Sequence, residues 1–425
     1  MNTAEREPEL AGLEEYAARD DRRRALFFVG RDREIGTVER LCARALRSTR
    51  AGERFEGATR LFQGAPGAGK SSLLSELERR WTAGDAPADA PRPLLLPWSM
   101  LESEEDTSRA ILQAVAPTLE AETRQTRTRD ASARAGLAVL GGEARTGSSI
   151  APAALTFSQL ARALRTASWN RPLCLMVDEI QNVRPEARNV LSQLHLGEHG
   201  LPIVPVFAGQ GDSCDHLSGP AGLSRFSLDA VHDIGRLAPQ EAGEAVIAML
   251  TAFHVDITHP HAEGWAARLA EESEGWPQHL HNGMRALSEG LVKAGGRFAD
   301  TDPDFILARE AEFREISYRR RVSPRMEEAR CLTGAVLAAL PAQGLRRGQV
   351  LRTIERAADP ADPEWRLPGS MTAEVFLGHL VHRGALQQGT DRLLHCPIPS
   401  FRDYLIRRAR EPETAVEHDA SPPRA

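Results

Sequence analysis

The feature that most constrains this chain is a glycine-rich loop between a candidate strand at 60–63 and a helical run that begins near Leu73. The loop reads Gly64-Ala65-Pro66-Gly67-Ala68-Gly69-Lys70-Ser71. Its glycines let the backbone wind tightly, so that successive amides point at one anion, and the helix that follows adds its positive end. The pattern predicts a strand, a loop and a helix that together hold a phosphate group. We call residues 64–71 the phosphate loop.

Lysine is rare in this chain, because arginine supplies all basic residues except Lys70 and Lys293. A compact ammonium reaches between phosphates where the wide fork of arginine fits poorly, so its use at position 70 indicates a specific role. We expect Lys70 to contact the β and γ phosphates of a nucleotide. The Ser71 hydroxyl is expected to ligate magnesium, with Ser72 supporting the nucleotide at the helix start.

Two adjacent acids follow a wholly apolar run at 173–177. Such a run is typical of a buried central strand, which would deliver Asp178 and Glu179 at its carboxyl end. Asp178 is expected to hold Mg²⁺ through its water shell. Glu179, one residue further out, is expected to act as the general base on an attacking water.

Three motifs in this order resemble those of the AAA+ and STAND ATPases, particularly the branch near origin-recognition and transposition-regulator proteins. They are Phe28-Val29-Gly30-Arg31-Asp32-Arg33-Glu34, the phosphate loop, and Val177-Asp178-Glu179-Ile180-Gln181. The resemblance implies that the chain binds ATP or ADP with Mg²⁺ and hydrolyses ATP to ADP and phosphate. It implies that the base lies near Val29, Gly30 and Arg31, and that the phosphate loop and Ser72 hold the phosphates.

The same resemblance extends to three further positions, each with a second interpretation. Gln210 stands where a first sensor of the γ phosphate is expected, although Gly209 and Gly211 also fit a simple turn. Arg225 precedes the last strand, where related proteins place an arginine that reaches a neighbour's ATP in trans; a surface residue is the alternative. Pro277 and Gln278 fall in the second-sensor region, where many relatives have arginine, but a helix junction explains them equally well.

Short apolar runs alternate with helical stretches, which predicts an α/β fold with a parallel sheet covered by helices. The predicted strands are 60–63, 94–98, 173–177, 203–208 and 231–234. The predicted domains are a charged arm at 1–24, a nucleotide-binding domain at 25–236, a helical lid at 237–322, a winged-helix domain at 323–410 and a disordered tail at 411–425. Residues 123–156 read as a surface loop or a hairpin, and neither the arm nor the tail is expected to carry chemistry.

The winged-helix prediction leaves the partner open. Its third helix, at 371–382, offers Glu374, His379 and His382, which is not a strongly basic face for reading DNA. Residues 318–410, with the arginine cluster at 319–321, could contact double-stranded DNA, or the domain could contact an unknown protein. Charge runs of this kind are also often solvated faces.

Composition excludes several other classes of protein. No apolar run of the 425 residues approaches the roughly 18 of a membrane span. The charged N-terminus lacks a signal core, so a cytoplasmic location is expected. The five scattered cysteines contain no pair suited to zinc, and a net charge of −6 argues against a generally basic coat for nucleic acid.

The sequence therefore predicts an ATP-dependent switch that couples nucleotide state to a C-terminal winged helix, with an ATP-dependent homo-oligomer as a further hypothesis. A DNA-associated protein of replication, transposition or a mobile element is one interpretation. A STAND-like signalling or defence switch that contacts protein is another, and a nucleotide-binding scaffold with negligible turnover is a third.

Overall fold

The structure is a computed structural model, and it describes residues 8–18, 27–53, 55, 59–115, 156–165, 169–196, 200–211, 213–218, 226 and 228–411. The predicted insertion at 123–156 lies outside these residues except for Thr156, and the predicted tail lies outside them except for Glu411. Within the described part of the chain, no helix is both long and apolar enough to cross a membrane.

The first half of the chain forms a five-stranded parallel sheet in the order β2-β3-β4-β1-β5. Its elements are α1 (Leu10–Ala18), α2 (Asp32–Arg50), β1 (Arg60–Gln63), α3 (Lys70–Thr82), β2 (Arg92–Pro97), α4 (Glu104–Val115), α5 (Phe157–Arg165), β3 (Leu173–Asp178), α6 (Pro185–Leu196), β4 (Ile203–Gly209), α7 (Ser213–Ser218) and β5 (Val231–Asp233).

The strands lie where the apolar runs predict them. Residues 173–177 of β3 and the whole of β4 are buried, as expected for central strands covered on both faces. β2 begins at Arg92, two residues before the predicted start, because the Arg92 amide donates to the Pro172 carbonyl at 2.7 Å. Since all five strands run parallel, their carboxyl ends meet at one edge, and this edge carries the phosphate loop.

Four helices follow the sheet and form the lid: α8 (Pro239–Ala252), α9 (Pro260–Glu272), α10 (Pro277–Lys293) and α11 (Pro303–Arg321). Each begins with proline, whose missing amide hydrogen has no intrahelical acceptor at that position anyway. At the start of α11 the Asp302 carboxylate also accepts from the Asp304 amide at 2.9 Å. The lid has its own apolar core, which is separate from the core of the sheet.

The N-terminal region differs from the predicted arm. Leu13, Tyr16 and Ala17 of α1 are buried against the lid at helical spacing. The Glu9 amide donates to the Phe253 carbonyl at 2.9 Å, and Arg285 Nε donates to the Ala17 carbonyl at 2.9 Å. These apolar side chains outweigh the charges around them and fix the helix to the lid.

The C-terminal domain contains α12 (Pro324–Glu328), α13 (Arg330–Ala338), β6 (Leu345–Arg346), α14 (Arg347–Ala357), α15 (Ala373–His382), β7 (Gln387–Gln388), β8 (Leu393–His395) and α16 (Pro399–Arg408). Its small antiparallel sheet has the order β6-β8-β7. This succession is consistent with a winged-helix domain. Its apolar core continues into that of the sheet domain, so that Phe376 and Phe401 belong to the same buried cluster as Phe62 and Leu74.

Candidate nucleotide site

The phosphate loop takes a tight path between β1 and α3. Gly67 and Gly69 have φ of 82° and 92°, in the left-handed region that favours glycine. A Cβ at Gly67 would lie 2.4 Å from Oε1 of Gln278, a residue of the lid. The Gln278 amide also donates to the Gly67 carbonyl at 3.2 Å. Glycine is therefore required at position 67 by backbone conformation and by the close approach of the lid.

Lys70 is buried at the start of α3, with 5% of its surface exposed. Its Nζ donates to the Gly64 carbonyl at 2.8 Å and to the Ala65 carbonyl at 3.2 Å. Burial lowers the pKa of Lys70, while the charges of Glu179 and Asp178 oppose that shift. The ammonium thus lies inside the curve of the loop, within electrostatic range of both acids.

The two acids lie at the end of β3. Asp178 accepts from the Glu179 amide at 3.0 Å, and Glu179 has a φ of 52°, a left-handed conformation that is uncommon for a residue other than glycine. Gln181 Nε2 donates to the Glu179 carboxylate, and Gln181 Oε1 accepts from the main-chain amide of Gln210 at 3.2 Å. Gln181 thereby ties Glu179 to the residue that follows β4.

A cavity of about 430 Å³ opens beside the loop, between the sheet domain, α1, the lid and the C-terminal domain. Its lining includes the loop residues from Pro66 to Ser72, Glu179, and the arginines Arg31, Arg320, Arg321 and Arg383. It also includes the aromatic and apolar residues Tyr16, Phe27, Phe28, Val29, Leu280, His281 and Met284. A cavity lined by both cations and aromatic side chains matches the two chemistries of a nucleotide.

Two of the predicted base-side residues line this cavity, namely Val29 and Arg31. The Arg31 guanidinium donates to the carbonyls of Gly235 and Ala68, which joins the segment before α2 to the loop and to the end of the sheet. Burial lowers the pKa of Arg31. Gly30 packs against Glu241, since a Cβ there would lie 2.5 Å from its Oε1.

Three arginines that line the cavity come from outside the predicted motifs. Arg321, the last residue of α11, is 7% exposed, and its Nη2 donates to the Pro66 carbonyl at 2.8 Å and to Gln278 Oε1 at 2.6 Å. Arg320 and Arg383 also line the cavity. Sequence reasoning associated Arg320 and Arg321 with nucleic acid, yet both face the nucleotide cavity, because α11 ends beside the loop.

The C-terminal domain contacts the outer side of the phosphate loop. The Ala65 amide donates to Gln387 Oε1 at 2.9 Å, and a Cβ at Gly384 would lie 2.6 Å from Cδ of Pro66. Nearby, Gln63 Nε2 donates to the Gln388 carbonyl at 3.4 Å. Residues of the phosphate loop therefore line the cavity and also contact the C-terminal domain.

The remaining predicted site residues have different placements. Ser71, Ser72, Pro277 and Gln278 line the cavity. Gln210 is buried behind Glu179 and is not among the described residues that line the cavity. Arg225 lies outside the described residues. The hydroxyl of Ser71 and the half-buried carboxylate of Asp178 are hard oxygen donors, which suit Mg²⁺.

The five-stranded parallel sheet and the helices around it match the fold of the P-loop ATPases. Residues 28–204 match the family model for the AAA ATPase domain. A Walker-type ATPase of Pyrococcus abyssi shares the fold at 14% identity and a TM-score of 0.51, over 92% of this chain and 99% of that chain.

Two further solved structures are similar at lower scores. The ORC2 protein of Aeropyrum pernix matches at 15% identity and a TM-score of 0.49, over 90% of this chain and 93% of that chain. Cdc6p of Pyrobaculum aerophilum matches at 12% identity and a TM-score of 0.44, over 93% and 98% respectively. No curated protein matches the sequence.

Proposed function

We propose that this chain is a Mg²⁺-dependent ATPase that works as a molecular switch, with the C-terminal domain as the moving part. The observation that supports it most is the cavity, which is lined by the phosphate loop, by cations and by aromatic side chains. Lys70, Arg320, Arg321 and Arg383 supply positive charge in this lining, as a bound triphosphate requires.

Hydrolysis needs a base close to the terminal phosphate, and Glu179 is the candidate. It lies at the cavity near Lys70, and the hydrogen bond from Gln181 fixes its carboxylate. Glu179 would take a proton from the attacking water, while Lys70 and Arg321 hold the phosphate oxygens. Ser71 and Asp178 would hold Mg²⁺, which neutralises charge on the β and γ phosphates. Gln210 would act on Glu179 through Gln181, and Arg225 stays a candidate for a contact in trans.

Coupling to the C-terminal domain follows from shared contacts. Arg383 lines the cavity, and the next residue, Gly384, packs on Pro66 of the loop. A nucleotide that engages Arg383 therefore favours the docked position of the domain. Loss of the γ phosphate weakens that preference, and such a difference in affinity is what a switch requires.

Contact within the chain or with a protein is better supported than DNA binding for the docked conformation. The turn after β7 is held by the sheet domain, since the Thr390 amide donates to the Asp233 carboxylate at 2.9 Å. On α15, Glu374 is paired with Arg347, whose Nε donates at 2.9 Å. Burial and neighbouring positive charges lower the pKa of His379. The helix itself carries one glutamate and two histidines but no arginine or lysine, so it offers few cations to a phosphate backbone, and the STAND-like interpretation is preferred to the DNA-associated one.

The test is ATP binding by calorimetry and phosphate release, for wild type, Lys70→Ala and Glu179→Gln. Lys293→Ala is the matched control, since this second lysine lies over the Phe305 ring, 3.5 Å from its centroid. We expect Lys70→Ala to abolish ATP binding and Lys293→Ala to leave it unchanged. Glu179→Gln should retain binding and lose turnover by at least about 100-fold.

The results separate the three interpretations. Turnover that duplex DNA stimulates would favour the DNA-associated protein. Turnover that is insensitive to DNA would favour the protein-contacting switch. ATP binding without turnover in the wild type would instead identify a nucleotide-binding scaffold, and no ATP binding at all would refute the proposal.

A further inference from the structure

The lining of the cavity includes a tyrosine that the hydrolytic reaction does not use. Tyr16 is 4% exposed and lies at the centre of an aromatic cluster. Its ring centroid is 5.5 Å from that of Phe27 and 5.6 Å from that of His281, both in edge-to-face geometry. All three residues line the cavity. A wall of this kind suits the flat face of a nucleobase rather than a phosphate.

Helix α1 holds Tyr16 in a fixed position. Its start is tied to the lid by the bond from the Glu9 amide to Phe253, and its end by the bond from Arg285 to the Ala17 carbonyl. Between them, Gly12 lies so close to Phe253 that a Cβ would be 2.9 Å from two of its ring carbons. The helix is therefore a wall of the cavity and not a free arm.

Tyr16 also presents a polar atom at this wall. Its hydroxyl oxygen lies 3.1 Å from Nδ1 of His281, within hydrogen-bond distance. Burial raises the pKa of Tyr16, and the charge of Arg285 only partly opposes this shift. The hydroxyl is consequently neutral at physiological pH and can donate or accept. A polar pair beside an aromatic surface can bond to the ring nitrogens and the amino group of adenine.

We infer that Tyr16 is a base-binding residue and that helix α1 forms the part of the cavity that recognises the adenine of ATP. The inference rests on the proposed function, since it concerns the same cavity, and it names the residues of that cavity that select the base. The phosphate loop and the arginines that line the cavity are different residues from those of the aromatic cluster. Base recognition and phosphate recognition can therefore be separated experimentally.

The experiment compares two ligands, Mg²⁺-ATP and Mg²⁺-tripolyphosphate, which share the phosphates but not the base. Dissociation constants are measured by calorimetry for wild type, Tyr16→Ala and Tyr16→Phe. We expect Tyr16→Ala to weaken ATP binding by about 10- to 100-fold and to leave tripolyphosphate binding unchanged. Tyr16→Phe should show a smaller loss for ATP, because it keeps the ring and removes only the hydroxyl.

Leu13→Ala is the matched control on the same helix. Leu13 is fully buried in the lid core but is not among the described residues that line the cavity. Its truncation destabilises the packing of α1 without removing a base contact. The ratio of the ATP to the tripolyphosphate constant should therefore stay at the wild-type value, even where both constants change.

The outcomes distinguish this inference from the proposed function. A ratio for Tyr16→Ala equal to that of the wild type overturns the inference and leaves the proposed function standing. A wild type that binds ATP no more tightly than tripolyphosphate also overturns it, because the base would then contribute nothing. A wild type that binds neither ligand refutes the proposed function itself.

Discussion

Substitution of Gln387 by leucine tests whether the C-terminal domain holds the phosphate loop. Gln387 is 4% exposed, and its Oε1 accepts the Ala65 amide hydrogen at 2.9 Å. Leucine has a similar size but no acceptor, so Gln387→Leu removes the hydrogen bond without opening a large cavity. The Ala65 amide is then left buried and unpaired.

The size of the effect follows from that unpaired group. A buried amide that loses its only acceptor costs about 1 to 3 kcal/mol, which corresponds to a factor of about 5 to 150 in an equilibrium constant. Amide hydrogen exchange, measured by mass spectrometry on a peptide that contains Ala65, should accelerate by about this factor. The same variant should bind ATP more weakly, because Arg383 loses its fixed position relative to the loop.

Gln388→Leu is the control for this measurement. Gln388 contributes its main-chain carbonyl, and not its side chain, to the bond from Gln63. The substitution should therefore leave exchange at Ala65 unchanged. If the Gln387 and Gln388 variants exchange at the same rate, the contact contributes no free energy and the coupling argument is wrong.

Three further predictions concern the lid and the loop. Arg321→Lys removes the guanidinium that donates to the Pro66 carbonyl and to Gln278 Oε1, and it should weaken ATP binding by about tenfold or more in calorimetry, since bonds from charged donors contribute about 1.5 to 3 kcal/mol. Gly67→Ala should abolish ATP binding in the same assay because of its φ of 82° and the nearby lid oxygen, whereas Gly84→Ala, with no atom within 4 Å of the added Cβ, should not. Burial, together with neighbouring arginines, lowers the pKa of His279 to about 3, against about 6.5 in an unfolded chain. Between these two values the unfolded chain binds a proton that buried His279 does not bind. The free energy of unfolding is therefore unaffected by this group well above pH ~6.5 and is lower by about 1.4 kcal/mol at pH ~5.5. His279→Gln should abolish that part of the acid sensitivity in urea unfolding, and an unchanged pH dependence would contradict the assignment.

Local patterns predict the sheet, which the structure confirms, and they predict the roles of the phosphate loop and of the two acids, which stay predictions. Residues 173–177 are fully buried in β3, as their continuous apolar run indicates. The phosphate loop, Lys70 and Ser71 lie together because one short segment contains the strand, the loop and the helix start. Asp178 and Glu179 come to the same edge because parallel strands end on one side of a sheet.

The second layer of the site could not be predicted, because its residues come from distant parts of the chain. Gln387 is 322 positions from Ala65, and neither residue belongs to a motif that implies the other. Arg321 is one arginine among many, in a chain with only two lysines. Nothing local distinguishes Arg321 or Arg383 from solvated arginines. Tyr16 did carry a signal, since Leu13, Tyr16 and Ala17 share one helical face, but the surrounding charge obscured it.

The continuous apolar core has a consequence for what counts as a domain here. Some of the buried residues of the sheet domain form one cluster with those of the C-terminal domain, another part of the sheet domain forms a second cluster, and most of the lid and α1 form a third. Cutting the chain near residue 322 would expose this shared core to water, at a cost of about 25 cal/mol for each Å². The domains predicted from the sequence are therefore not the units that unfold cooperatively. The sheet domain and the C-terminal domain should melt in one transition, with the lid and α1 as a second unit, and truncated fragments should aggregate.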